Sequence, residues 1–180
     1  MKRNKLYQIL IPNSGYEHIA KEILSQKILP LVADASVLSL LPTTKLYQNS
    51  IITPHIGEFE KCFGKCDDDF TRMSLAIQKA KDLNIYIILK GAYTLIATPT
   101  GKAYFNNTGN AGMAKAGSGD VLTGLLTGLL AQGYSPLNTC LLGVYLHGLA
   151  GDFAAEIHTQ YAMTATDIIN QMGQAWKKLT

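Results

Sequence analysis

The stretch Ile85-Tyr86-Ile87-Ile88-Leu89 limits the fold more than any other. It is a continuous apolar run with no polar face, so as a strand it must be covered on both sides. Lys90-Gly91-Ala92 leaves its C-terminal end. Shorter apolar runs at Leu6–Ile11, Leu29–Ala33 and Ser50–Ile52 read as further strands. Between them, Tyr16–Lys27 carries Ile19, Ala20, Ile23 and Leu24 at helical spacing. Asp67-Asp68-Asp69 is a start signal for a helix over Phe70–Leu83, and shorter helices are predicted at Ser36–Leu41 and Gly57–Phe63. Thr94–Thr98 and Lys102–Phe105, around Pro99-Thr100-Gly101, predict a hairpin. Further on, the apolar helix from Ser118 reaches Gln132 and is closed by Gly133. Ser135-Pro136 pairs an N-cap with a first-turn proline and starts a helix to about Ile157. A last helix covers about Ala165–Leu179. Strands alternating with helices imply an α/β fold over residues 1–180, a mostly parallel sheet with helices on both faces.

In such sheets ligands bind beyond the carboxyl ends of the strands. Asp34, Thr53-Pro54-His55 and Lys90-Gly91 follow three of the predicted strands. A fourth segment belongs at the same rim. Asn110-Ala111-Gly112-Met113-Ala114-Lys115-Ala116-Gly117-Ser118-Gly119-Asp120 is a glycine-rich loop opening directly into an apolar helix. The first N–H groups of a helix lack internal partners and carry partial positive charge. Gly117–Asp120 therefore reads as an anion cradle suited to phosphate. A carboxylate there can cap the helix. If Asp120 is functional instead, its task beside a bound phosphate is to accept a proton.

The composition is that of an ordinary globular chain, 47% hydrophobic and 16% charged, with a net charge of +3. Basic residues are scattered, so no nucleic-acid face is expected. The apolar stretch near Val121–Ala131 is too short to span a bilayer. Cys62, Cys66 and Cys140 form an odd, sparse set, which points to free thiols and a cytoplasmic setting. Cys62-x3-Cys66 has no second pair to complete a metal site.

Four motifs in order, Thr53-Pro54-His55-Ile56-Gly57-Glu58-Phe59, Leu89-Lys90-Gly91-Ala92-Tyr93-Thr94, Gly109-Asn110-Ala111-Gly112-Met113-Ala114 and Gly117-Ser118-Gly119-Asp120-Val121-Leu122-Thr123-Gly124, resemble those of the ADP/ATP-dependent NAD(P)H-hydrate dehydratases of the ribokinase-like superfamily. Tyr145–Asp152 and Thr166–Ile169 are similar too. The resemblance implies a three-layer αβα fold. It also implies a repair reaction: the hydroxyl of a hydrated nicotinamide cofactor, NAD(P)HX, is phosphorylated from ADP or ATP, and phosphate is then eliminated. Asp120 would be the general base, the amides of Gly117–Gly119 would stabilise the transferred phosphoryl group, and Mg²⁺ would bridge the nucleotide phosphates. Lys90, Gly91, Ala92, Tyr93, Thr94, Asn110, Gly117, Ser118 and Gly119 would contact the nucleotide; Gly15, His55 and Asp120 would contact the hydrate. A small-molecule kinase of the same superfamily and a non-catalytic nucleotide-binding or oligomer-forming remnant are the alternatives.

Several departures from the family pattern carry expectations. The family has strands and helices ahead of this point, so the chain reads as N-terminally truncated, with a sheet edge that a missing segment or a second copy would cover. An epimerase domain, often fused to the family, is a possible companion. Ile11-Pro12-Asn13-Ser14-Gly15 is a worn form of the family's glycine turn. Lys115 stands where the family has a small residue, which puts a cation beside the phosphate loop. Asp34 is expected to cap the helix that follows it, His147 to be a satisfied core histidine, and Gly124 and Gly128 to allow close helix–sheet packing.

Overall fold

The computed structural model describes residues 9–10, 22, 30–40 and 46–179. The predicted turn at Pro12–Gly15 and nearly all of the predicted helix Tyr16–Lys27 lie outside these residues, Gly15 among them. Six strands form one sheet in the order β1 (Ile9–Leu10), β2 (Val32–Ala33), β3 (Ile51–Ile52), β4 (Tyr86–Leu89), β5 (Leu95–Ala97), β6 (Ala103–Phe105). β1 to β4 are parallel, and β4-β5-β6 run antiparallel through the predicted hairpin. The hairpin turn Thr98–Lys102 is tied by the Thr98 hydroxyl, which donates to the Lys102 carbonyl at 3.0 Å.

Alternate strand residues face opposite ways, as the two-residue period of a strand requires. Ala33, Ile52, Ile87, Leu95 and Ala97 join a core with Val37, Leu38, Phe59, Ala76 and Ala80. These come from a 3-10 segment (Ala35–Leu40), α1 (Ile56–Phe63) and α2 (Asp69–Leu83). Val32, Ile51, Ile88 and Ile96 pack on the other face against Leu122, Leu126, Leu130, Cys140 and Val144. Those belong to α3 (Ser118–Ala131) and α4 (Pro136–Ala162). α5 (Ala165–Lys177) packs outside α4 through Ile168 and Ala175. The layers are therefore helix, sheet, helix, and the apolar run at β4 is buried because both faces are covered.

Local chemistry sets most of the element ends. The Asp68 side chain accepts from Thr71 N at 2.6 Å and starts α2. The Ser135 hydroxyl accepts from Asn138 N at 3.2 Å ahead of Pro136. Gly133, at φ 92°, turns the chain out of α3 as predicted. By length and composition α4 could cross a bilayer; here its inner face packs against α3 and α5 through Cys140, Val144, Leu146 and Ala150. Gly124 and Gly128 overturn the expectation of close helix–sheet packing. An added Cβ on either would meet nothing within 4 Å among the described residues, so neither is pressed against the described part of the sheet.

Candidate active site

The site is assembled where β2, β3 and β4 end. A single bridge between His55 and Lys90 extends the parallel pairing of β3 and β4, with the Lys90 N–H donating to the Pro54 carbonyl at 2.8 Å. This fixes the two motif residues side by side. His55 is also the N-cap of α1. Its Nδ1 accepts from Glu58 N at 3.2 Å, and its own N–H donates to Glu58 Oε2 at 2.8 Å. Because Nδ1 is an acceptor, the neutral ring carries its proton on Nε2, which lies 3.4 Å from Glu58 Oε1. The side chain stays 59% exposed.

Lys90 points inward. Its Nζ donates to Asp34 Oδ1 at 3.0 Å and lies 4.0 Å from Glu58 Oε2. Asp34 is buried, and Thr123 of α3 donates to its other oxygen at 3.1 Å. Beyond the helix cap that its sequence position predicts, Asp34 thus has partners on two other elements. A carboxylate taken out of water needs charged and hydrogen-bonding partners, and it finds both across the sheet's end. The ammonium sits directly below the start of α3: a Cβ added to Gly119 would be 3.3 Å from both Lys90 Nζ and Asp34 Oδ2.

Above this pair lies a cleft of about 690 Å³. It is lined by Lys90-Gly91-Ala92-Tyr93-Thr94, by the segment 106–111, and by Gly119, Leu122 and His147 among others. His55, Lys90, Gly91, Ala92, Tyr93, Thr94, Asn110 and Gly119 are therefore brought to one cavity. Tyr93 is 71% exposed and offers its ring to the opening. Asn110 reaches the cavity with its side chain already engaged. Its Nδ2 donates to the Gly151 carbonyl and Asp152 Oδ1, both at 3.0 Å, and its Oδ1 accepts from Gly112 N at 3.0 Å. Asp152 Oδ2 also accepts from Gly109 N at 2.9 Å. Asn110 and Asp152 thus shape the wall.

The start of α3 is unusual in having no side-chain cap. Gly117 occupies the N-cap position at φ 86°, a conformation that strains any residue with a Cβ. Such a Cβ would also come within 3.1 Å of Ala165 Cβ. The Ser118 N–H donates to the Lys115 carbonyl at 3.3 Å, so it is not available to an anion. The N–H groups of Gly117, Gly119 and Asp120 have no acceptor among the described residues. Asp120 is exposed in the first helical turn, one residue past Gly119, and its carboxylate has no hydrogen-bond or ion-pair partner among the described residues. It caps nothing. Gly117, Ser118 and Asp120 lie just outside the cleft lining.

His147 braces this helix start from below. Its Nε2 is 3.0 Å from the Ser118 carbonyl, an acceptor, so the ring's Nε2 carries the proton. Burial lowers its pKa to about 4; the bond to Ser118 opposes the shift and the Lys90 charge adds to it. It is satisfied, as expected, yet it also faces the cleft. Lys115 does not sit over the phosphate loop as a free cation. Its Nζ donates to the Tyr161 and Met163 carbonyls at 2.7 and 2.6 Å. Sequence reasoning missed Asp34, Thr123 and Asp152 as partners. The pattern His55-x-x-Glu58 was the one readable signal, since an acidic residue three after an N-cap closes a capping box.

Among the described residues, no three His, Cys, Asp or Glu side chains converge to hold a metal ion. The layered sheet, the ligand site at the strand ends and the open helix start define a ribokinase-like α/β protein. A ribokinase-like superfamily protein from Enterococcus faecalis shares the fold at TM-score 0.82 and 30% identity, covering 96% of this chain and 63% of that one. Residues 11–174 match the NAD(P)H-hydrate dehydratase family, and the chain belongs to it. The bifunctional NAD(P)H-hydrate repair enzyme Nnr of Moorella thermoacetica is 43% identical over 161 residues, covering 84% of this chain and 30% of the relative. The ADP/ATP-dependent NAD(P)H-hydrate dehydratase of Bacillus subtilis, co-crystallized with ATP/Mg2+, superposes with a TM-score of 0.86 at 28% identity, over 100% of this chain and 67% of that one. The chain thus spans under a third of the Moorella relative's length.

Proposed function

We propose that this chain carries the phosphoryl-transfer site of an ADP- or ATP-dependent (S)-NAD(P)H-hydrate dehydratase. The observation that carries the reading is the start of α3: free amides at Gly119 and Asp120, the Lys90 ammonium beneath them, and a carboxylate left without a partner. An exposed helix N-terminus over a cation suits the terminal phosphoryl group of a nucleotide. The wall Lys90–Thr94 takes the rest of the nucleotide, with the Tyr93 ring against the base. His55, which lines the cleft, and Asp120 contact the hydrate; the family motif adds Gly15 to that role.

Asp120 accepts the proton of the hydrate hydroxyl as that oxygen bonds to the terminal phosphorus. The bond between phosphorus and the bridging oxygen breaks, and AMP or ADP leaves. In the second step phosphate departs with the C–O bonding pair and a ring proton is lost, which restores the double bond of NAD(P)H. Hydroxide is a poor leaving group and phosphate a good one, so the first step makes the second possible. Mg²⁺ supplies charge neutralisation when it arrives with the nucleotide. It fits this site in one sense: an ion held mainly by phosphate oxygens and water needs one or two carboxylates, not a protein cage.

The three free thiols fit a reducing, cytoplasmic setting, and the bifunctional relative supports association with an epimerase unit. The test is ADP-dependent recovery of NADH from its hydrate, with Asp120→Asn alongside. Recovery by the unsubstituted protein and its loss in the variant supports the reading. The same cradle and base would serve a small-molecule kinase, which a stable phosphorylated product would select. Nucleotide binding with no turnover would select a non-catalytic remnant.

A further inference from the structure

The segment 109–117 ends where α3 begins, so whatever fixes this segment fixes the amides at the cleft. Its first half is held by Asn110 and Asp152. Its second half has one long-range polar tether among the described residues, the Lys115 ammonium on the Tyr161 and Met163 carbonyls. Those carbonyls lie where the chain leaves α4, past the non-helical Thr159. Nearby, Thr159 breaks the helix at φ 64°, ψ 159°, a backbone state that a β-branched residue holds only under constraint.

The packing around the tether is close. A Cβ on Gly112 would fall 2.6 Å from the Gln160 carbonyl oxygen, and one on Gly117 would fall 3.1 Å from Ala165 Cβ. The phosphate loop therefore lies on the bend between α4 and α5. The Asp167 carboxylate, held below its usual range chiefly by hydrogen bonds from Thr164, also feels His158 and Lys115. The ammonium thus bridges the loop to two carbonyls at the end of one helix and to the acidic start of the next.

We propose that Lys115 is a positioning residue for the phosphate cradle: it clamps the loop that carries Gly117–Asp120 onto the bend between α4 and α5, and so sets the direction of the free amides without touching the nucleotide. This rests on the reading of that loop as the phosphate site. It also predicts that the bend, which contributes no residue to the strand ends, controls nucleotide affinity through a single side chain.

The experiment compares ADP and adenosine binding by calorimetry in the unsubstituted protein, Lys115→Met and Lys115→Arg. Adenosine lacks the phosphates that the cradle would hold. In Lys115→Met the ADP affinity should fall about tenfold, the scale of a misplaced but intact binding group, while adenosine affinity stays within about twofold. Lys115→Arg, which keeps the charge and its donors, should recover most of the loss. A parallel loss for both ligands, or none for either, overturns the proposal. Hydrogen exchange without ligand gives an independent reading: the peptide covering 111–120 should exchange about tenfold faster in Lys115→Met, and unchanged exchange overturns the clamp. If the unsubstituted protein binds adenosine but gains nothing from the phosphates of ADP, the cradle reading itself falls, whatever the exchange data show.

Discussion

Two helices in this molecule place an aspartate at the same position, third residue after the N-cap, and use it in opposite ways. At the start of α5, Asp167 accepts from the Thr164 N–H and hydroxyl, both at 2.7 Å, while its own N–H donates to the Thr164 hydroxyl at 3.4 Å. At the start of α3, Asp120 has no partner among the described residues. The difference is the N-cap residue. Thr164 has a hydroxyl and extended backbone; Gly117 has neither, and its left-handed φ leads the chain in along another path. A capping box consumes its carboxylate in holding the helix together. Gly117 leaves that carboxylate, and the amides beside it, to a ligand. The stability given up at one helix start is supplied from below by His147 on the Ser118 carbonyl and by the Asp34–Lys90–Thr123 group.

The largest effect expected from this contrast is on turnover. Asp120→Asn should lower ADP-dependent NADH recovery by about 10³-fold, within the usual range for loss of a general base. The melting temperature should stay nearly constant, because the carboxylate makes no internal bond. ADP affinity should change little. A variant that keeps full activity, or that loses several degrees of stability, breaks the comparison, since Asp120 would then be working as Asp167 does.

Next comes the brace. His147 is buried and its folded-state pKa is about 4, below its ordinary value near 6.5. The folded state therefore binds fewer protons than the unfolded chain between those pH values, and stability is lost as pH falls through that window. At about 1.4 kcal/mol per pKa unit the loss is on the order of 3 kcal/mol by pH 4. Denaturant midpoints between pH 7 and pH 4.5 should show it, and His147→Gln should flatten the histidine's share of the slope. An identical slope in the variant would remove His147 as the support of the α3 start.

How much of this was legible before the structure depends on distance along the chain. The run at Ile85–Leu89 announced a strand buried on both faces, and Asp68 and Ser135-Pro136 announced their helices, because those signals are local. The cleft was legible as motif positions, and eight of those residues do meet there. Its internal bonds were not. Asp34 and Lys90 are 56 residues apart, and Lys115 and Met163 are 48 apart. Nothing in either segment marks the other, since only the sheet and the packing of α4 bring them together. The sequence therefore showed Lys115 only as a cation beside the phosphate loop and Asp34 only as a candidate cap, with no sign of their partners across the fold.

A smaller effect tests the glycine. Gly117→Ala places a Cβ at φ 86° and 3.1 Å from Ala165 Cβ. The left-handed backbone alone costs about 1–2 kcal/mol. Stability should fall by roughly that amount, and ADP affinity should fall with it as the start of α3 shifts. Loss of stability with unchanged ADP affinity would separate the glycine from the cradle.

The smallest effect belongs to the other member of the pair. Asp167→Ala removes a closed capping box from α5, and losses of this kind cost about 1 kcal/mol. The helix is packed on α4, so the fold persists and the cost appears as a modest drop in denaturant midpoint. The same substitution at position 120 should leave the midpoint where it was, because no cap is lost there. Measured together, the two alanine variants compare one residue type at one helical position in one protein. Equal losses would mean that Asp120 holds its helix after all, and the free carboxylate on which the proposed proton transfer depends would be gone.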